Sequence, residues 1–152
     1  MTPKRVFRTP ADFQGCVGQV IGKSEPLSIS REAVETFCAS VGNREWIHWD
    51  AQRCIAAGLG GVIAPGFMMP ALFSKAFFDL FEIEGFASIL FSGTERMRLL
   101  APVPVPGDIF FEIAIDRVEQ RNTGIAVFYG VKWFLVSQSQ PAGVGVFVIR
   151  YQ

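Results

Sequence analysis

Apolar residues recur at helical spacing in the first third of the chain. Four of them fall at positions i, i+3, i+4 and i+7, which lie on one face of a helix: Val34, Phe37, Cys38 and Val41. Ser30 is a typical N-cap residue, Glu32 suits the first turn, and Gly42 suits the position after the last turn. The pattern therefore predicts a helix between Ser30 and Gly42, and a short second helix follows over residues 50–57.

A longer apolar segment, residues 67–83, has the length of a helix. Its apolar side chains point in nearly every direction around a helical axis. A helix that is apolar all round must be buried on almost all sides. We therefore expect the second half of the chain to wrap around this helix.

The second half of the chain is rich in β-branched and aromatic residues bounded by Gly, Pro, Asn and Ser, which is typical of strands. The predicted strands are residues 86–91, 96–100, 109–118, 125–136 and 144–151. Turns are predicted at residues 122–124 and 141–143, and an earlier strand at residues 17–27. This order predicts an α+β fold, in which a curved antiparallel sheet wraps around a central buried helix.

Composition adds limits to this picture. The length fits a single domain, residues 1–152, with residues 1–9 as an extended N-terminal arm. Half of the residues are hydrophobic, which excludes a disordered chain, and 14 Lys and Arg balance 14 Asp and Glu, which argues against a nucleic-acid partner. An apolar chain without net charge predicts surface that a partner subunit covers. The sequence shows no signal peptide and no apolar segment that could span a membrane, so we expect a cytoplasmic protein without membrane association. Its three cysteines lack paired spacing, so we expect them to be reduced and to bind no metal.

Two residues are candidates for chemistry. His48 is the only histidine, and histidine suits proton transfer near neutral pH. Gly66 precedes the long apolar helix, where unpaired N–H groups carry partial positive charge and a glycine lets a ligand oxygen approach the backbone. Each also has a structural interpretation, since a lone histidine is often satisfied by a backbone carbonyl and glycine is common in turns that lead into helices. The residues alone leave these alternatives open.

The segment that contains both His48 and Gly66 carries a recognisable motif. It consists of Trp46-Ile47-His48, Asp50, Arg53, Ala56-Ala57, Gly60-Gly61 and Ile63-Ala64-Pro65-Gly66. This motif resembles the hydratase segment of MaoC-like proteins in the hot-dog superfamily, and most of all their NodN-like branch. Weaker similarity follows at Arg98, at residues 101–107 and at residues 140–151.

The resemblance implies a hot-dog fold, usually assembled as a dimer, and hydration of trans-2-enoyl-CoA to (R)-3-hydroxyacyl-CoA or the reverse dehydration. It implies that His48 and the residue at position 43 activate water and that the Gly66 N–H polarises the thioester carbonyl. It also implies supporting or substrate contacts from three further residues: Ser74, Ile63 and Arg98. The implied ligand is acyl-CoA, and the implied assembly is a homodimer or a higher hot-dog oligomer. Neither a metal nor an organic cofactor is implied. We expect the side chains of His48 and Asn43 to occupy one small chamber at the first turn of the enclosed helix.

The chain departs from the family pattern at two positions. The catalytic aspartate is replaced by Asn43, whose amide cannot accept a proton as a carboxylate does, and the histidine before the glycine is replaced by Pro65. Either His48 works alone, or a neighbour such as Glu45 or Asp50 substitutes, or hydration is not the activity. The alternative for Asp50 is that it only caps the short helix. Two other functions therefore stay open: an acyl-CoA thioesterase on the same fold, and a catalytically impaired acyl-CoA-binding subunit.

Overall fold

A computed structural model describes residues 3–152 of the chain. The strands are β1 (Arg5–Phe7), β2 (Val20–Lys23), β3 (Leu27–Ile29), β4 (Phe81–Ile83), β5 (Ile89–Leu99), β6 (Gly107–Gln120), β7 (Ile125–Leu135) and β8 (Pro141–Tyr151). The helices are α1 (Pro10–Gln14), α2 (Arg31–Val41), α3 (Ala51–Ala56) and α4 (Met68–Leu80), with a 3₁₀ turn at Trp46–His48. Within the expected arm, residues 1 and 2 lie outside the described range, and residues 5–7 form β1.

The main sheet is antiparallel, with the strand order β2-β6-β7-β8-β5, and β3 also pairs with β6. Alternate residues of β6 are fully buried on its inner face: Ile109, Phe111, Ile113 and Ile115. The period-two pattern of this strand is therefore confirmed, since successive side chains point to opposite faces of a sheet. Strands β1 and β4 pair in parallel as a separate two-stranded sheet.

Helix α4 packs on the inner face of the main sheet. The ring of Phe77 lies 5.5 Å from that of Tyr129 in β7, and the ring of Phe73 lies 4.7 Å from that of Phe147 in β8. The expectation that this helix is buried on almost all sides is wrong for the single chain, because Phe67 is 77% exposed and Phe78 is 54% exposed. The helix also ends at Leu80 rather than at residue 83, because residues 81–83 turn away to form β4 beside β1.

The helix predicted from Ser30 to Gly42 is confirmed as α2. The Ser30 hydroxyl accepts a hydrogen bond from the Ala33 amide at 3.1 Å, so Ser30 is the N-cap. Gly42 closes the helix with φ at 69°, a left-handed conformation that favours glycine.

Three predicted strands and one predicted turn need correction. Residues 17–27 do not form one strand: β2 and β3 are separate, and Pro26 between them has no N–H to extend a ladder. Residues 86–91 and 96–100 were expected as two strands, but residues 89–91 and 96–99 belong to the single strand β5, which is bulged near Gly93 and Arg98. Residues 141–143 form no turn but open β8, where a side chain on Gly143 would overlap the ring of Trp133, so packing rather than turning explains this glycine. The predicted turn at residues 122–124 is confirmed between β6 and β7.

The described residues include no helix long and apolar enough to cross a membrane.

Candidate functional site

His48 ends the 3₁₀ turn between α2 and α3, and only 6% of its surface is exposed. Its ring nitrogen Nδ1 lies 2.7 Å from the carbonyl oxygen of Ile63. Because a carbonyl oxygen only accepts, Nδ1 must carry a proton. In the neutral form of the ring, the other nitrogen, Nε2, is then the proton acceptor. The structural interpretation of His48 therefore accounts for one ring nitrogen and leaves the other for chemistry.

The backbone around Ile63 is fixed from two sides. The Ile63 amide donates to the Ile47 carbonyl at 3.1 Å, and the next amide, that of Ala64, donates to the Val103 carbonyl at 2.8 Å. These bonds fix the carbonyl that orients the imidazole. Ile63, predicted as a substrate contact, thus holds His48 through its backbone.

His48 borders two pockets. The first, here called the α2 pocket, has a volume of about 440 Å³ and is lined by Glu35, Asn43, His48 and Trp49 among others. The second, here called the Gly66 pocket, has a volume of about 370 Å³. Besides His48 and Gly66, its lining is largely apolar: Ile63, Met69, Leu99, Val103 and Trp133. The structure therefore brings His48 together with each of its expected partners, but it places Asn43 and Gly66 in different pockets instead of one chamber.

Gly66 lies two residues before the first residue of α4. Within residues 3–152, its amide donates no hydrogen bond to protein, whereas the Met68 amide donates to the Pro65 carbonyl at 3.0 Å. A side chain at position 66 would overlap the Leu99 Cδ1 methyl, so the glycine keeps this approach open. A free N–H at the start of a helix is suited to stabilise a carbonyl oxygen that becomes negative.

Asn43 is half-buried directly after α2. Its Oδ1 accepts a hydrogen bond from the Glu45 amide at 3.0 Å, and its own amide donates to the Cys38 carbonyl at 2.9 Å. The Asn43 oxygen therefore stabilises the turn that leads to His48, while its side-chain NH₂ remains as a donor.

The other residues expected at the site lie apart from both pockets. Ser74 is on the exposed side of α4, and Arg98 is exposed on β5, where its Nη1 donates to the Met97 carbonyl at 3.0 Å. Asp50 accepts from the Arg53 amide at 3.0 Å and so caps α3, as one alternative expected. Glu45 is exposed and lines neither pocket.

Sequence reasoning missed Glu35, Leu99 and Trp133. Glu35 precedes Cys38 and Ala39 by three and four positions, so helical spacing alone puts it on the face that borders the α2 pocket. Trp133 offers no local signal, because only the pairing of β7 and β8 brings it beneath the pocket.

Burial raises the pKa of the Cys38 thiol, which also lines the α2 pocket, so this cysteine stays protonated at neutral pH and is not an activated nucleophile. Within the described part of the chain, no group of three or more His, Cys, Asp and Glu side chains is placed to hold a metal ion.

Comparisons with known proteins show what this chain is similar to. The MaoC like domain model matches residues 12–132. The chain is 28% identical over 148 residues to 3-hydroxyacyl-thioester dehydratase Z of Mycobacterium tuberculosis, which covers 97% of this chain and 98% of that protein. It is 25% identical over 135 residues to nodulation protein N of Rhizobium leguminosarum bv. viciae, which covers 87% of this chain and 84% of that protein.

Solved structures confirm the fold. An unliganded R-hydratase from Pseudomonas aeruginosa superposes with a TM-score of 0.71 at 21% identity, over 88% of this chain and 81% of that one. The curved antiparallel sheet with its packed helix is therefore the hot-dog fold, as expected. With most of its length matched by the family model, the chain belongs to the family of MaoC-like domains.

Proposed function

We propose that this protein hydrates trans-2-enoyl-CoA to (R)-3-hydroxyacyl-CoA, or catalyses the reverse dehydration. The observation that supports this most is the state of His48: Nδ1 faces the Ile63 carbonyl, and the same imidazole borders the pocket of the unpaired Gly66 amide. A proton acceptor beside a polarising N–H suits the addition of water to a double bond conjugated with a thioester carbonyl.

In the proposed reaction, the water oxygen forms a bond to C3 of the enoyl group while its proton passes to Nε2 of His48. The π electrons of the C2–C3 bond move toward the carbonyl oxygen, which the Gly66 N–H stabilises. The imidazolium then returns the proton to C2, so that one water is added and His48 is again neutral. Asn43 orients His48 through the turn that it stabilises, and no metal or organic cofactor is needed.

We also propose that the protein works as a homodimer. Apolar side chains are exposed along β5, which is an edge strand of the main sheet: Ile89, Leu90, Phe91 and Leu99. Leu99 also lines the Gly66 pocket, so a partner that covers β5 would lie next to the site. The exposed Phe67, directly before α4, and the exposed Phe78 within it support the same proposal.

An assay with crotonyl-CoA and longer enoyl-CoAs tests the function. The absorbance of the conjugated double bond and the free thiol are followed separately, and the configuration of the product is determined. We expect loss of the double bond without thiol, and a product of R configuration. Thiol release would instead indicate the thioesterase, and binding of the ester with neither signal would indicate the impaired subunit.

A further inference from the structure

The α2 pocket contains a carboxylate to which the proposed reaction gives no role. Glu35 and His48 both line this pocket. Among residues 3–152, Glu35 is the only acidic side chain that lines either of the two pockets bordering His48. Asn43 in the same pocket carries no charge and Arg44 carries a positive one, so among the described lining residues Glu35 supplies the one negative charge that can act on the imidazole.

Glu35 is held toward the segment that carries His48. Its Oε1 accepts a hydrogen bond from Nε of Arg31 at 2.9 Å. The same guanidinium donates through Nη2 to the carbonyl oxygen of Trp49 at 2.9 Å. Since Trp49 directly follows His48, Arg31 joins the Glu35 carboxylate to the backbone of the catalytic segment. In the described range of the chain, the second carboxylate oxygen, Oε2, accepts no hydrogen bond from protein.

The proposed hydration creates a charge that such a group would stabilise. While the proton from water resides on Nε2, His48 is a cation with little exposure to solvent. The Glu35 carboxylate is 54% exposed, so water screens part of its charge, but Arg31 already holds it in place and it need not reorganise to stabilise the developing positive charge. Such an effect appears only as the reaction proceeds, so it lowers the barrier without tightening the binding of substrate.

We propose that Glu35 is a positioning residue for this reaction, whose carboxylate stabilises the His48 imidazolium across the α2 pocket. This inference rests on the proposed function. Glu35 itself neither gains nor loses a proton: the proton moves from water to Nε2 and then to C2. Any carboxylate in the α2 pocket could stabilise the imidazolium in this way. Asn43 also lines this pocket, so an aspartate at position 43 could take over the role of Glu35.

The test compares four variants with the wild type in crotonyl-CoA hydration: Glu35→Gln, Glu35→Asp, Glu35→Gln with Asn43→Asp, and Glu32→Gln. Glu32 lies on the same helix and lines neither pocket, so its variant is the matched control. We expect Glu35→Gln to lower kcat by at least ~10-fold, short of the ~10²–10⁴-fold that a group transferring the proton itself contributes, with KM unchanged. We expect Glu35→Asp to retain more activity than Glu35→Gln, the double variant to exceed Glu35→Gln alone, and Glu32→Gln to match the wild type.

Thermal melting of each variant separates a charge effect from a loss of fold, because the Arg31–Glu35 pair is exposed and contributes little to stability. A Glu35→Gln variant with the kcat of the wild type would overturn the inference while leaving the proposed function intact. So would a loss of kcat that Asn43→Asp does not reverse. A wild type without any hydration would contradict the proposed function, and the role of Glu35 would fall with it.

Discussion

At the scale of single residues, the proposed reaction depends on the hydrogen bond between His48 Nδ1 and the Ile63 carbonyl. It selects one tautomer of a neutral imidazole and leaves Nε2 as the acceptor. The sequence predicted the histidine and the helix start, but the hydrogen-bond partner depends on a loop fifteen residues further along. The carbonyl is thus a detail that only the three-dimensional structure supplies.

Asn43→Asp is the first test at this scale. A carboxylate in the α2 pocket would stabilise the His48 imidazolium, so we expect kcat for enoyl-CoA hydration to rise, by up to ~10²-fold. Steady-state kinetics with crotonyl-CoA measure the change. Asn43→Ala, which removes the side chain without adding charge, is the control and should not raise kcat. Equal or lower kcat in the aspartate variant would contradict this role of the pocket.

The only two tyrosines, Tyr129 and Tyr151, form a second residue-scale test. Their hydroxyls lie 2.5 Å apart in the core, and burial raises the pKa of both well above the ordinary value of 10.0. The folded state therefore favours the neutral phenols, and this contribution to stability is complete below pH 10 and is lost as the pH rises further.

We expect phenolate absorbance to appear only together with unfolding, monitored by near-ultraviolet circular dichroism, as the pH is raised above 10. A titration in which the phenolates form near that pH while the tertiary signal persists would show that the pair is not buried as described.

At the scale of elements, the sequence predicted correctly those helix ends that depend on residues within the same helix. Helix α2 was predicted from its cap, its stripe and Gly42, because these features act within one helix. The end of α4 was not predicted, because β4 forms by pairing with the distant β1. The start of β8 was not predicted either, because the glycine at position 143 is required by the ring of Trp133 from another strand. The same reason explains why Trp133 and Leu99 were absent from the predicted site.

The start of α4 yields a prediction of its own. Alanine at Gly66 would place a methyl group against the flexible Leu99 side chain, so we expect the protein to fold. The methyl group would obstruct the approach of a thioester oxygen to the amide, and kcat/KM should fall by ~10²–10³-fold, the usual effect of losing such a donor.

Leu99→Ala provides the matched comparison for Gly66→Ala. If the loss arose only from crowding against Leu99, the double variant would recover the activity of Leu99→Ala. We expect no such recovery, because the obstruction lies at the amide itself. Recovery would remove Gly66 from the proposed mechanism.

At the scale of the whole molecule, the proposed second subunit would explain both the apolar composition and the exposed side of α4. The edge strand β5 is eleven residues long and pairs only with β8, and long unprotected edges associate readily with other chains. The expectation of an enclosed helix failed for the single chain and would be met in part if a partner covered Phe67 and Phe78.

Leu90→Lys tests this assembly. Leu90 is 53% exposed on β5, so a lysine there should leave the subunit folded while a buried charge would disfavour the dimer. Light scattering after size-exclusion chromatography should give the dimer mass for the wild type and the monomer mass for the variant. Ile55→Lys, a similar change on α3, should remain a dimer. A monomeric wild type would refute the assembly.

The central claim is that His48 transfers the proton of the added water. Its most direct test is crotonyl-CoA hydration by the wild type and by His48→Ala, compared at equal enzyme concentration with melting temperatures recorded for both. The account predicts turnover by the wild type and at least a ~10²–10⁴-fold lower kcat for a folded His48→Ala protein. Unchanged turnover by the folded variant would contradict it.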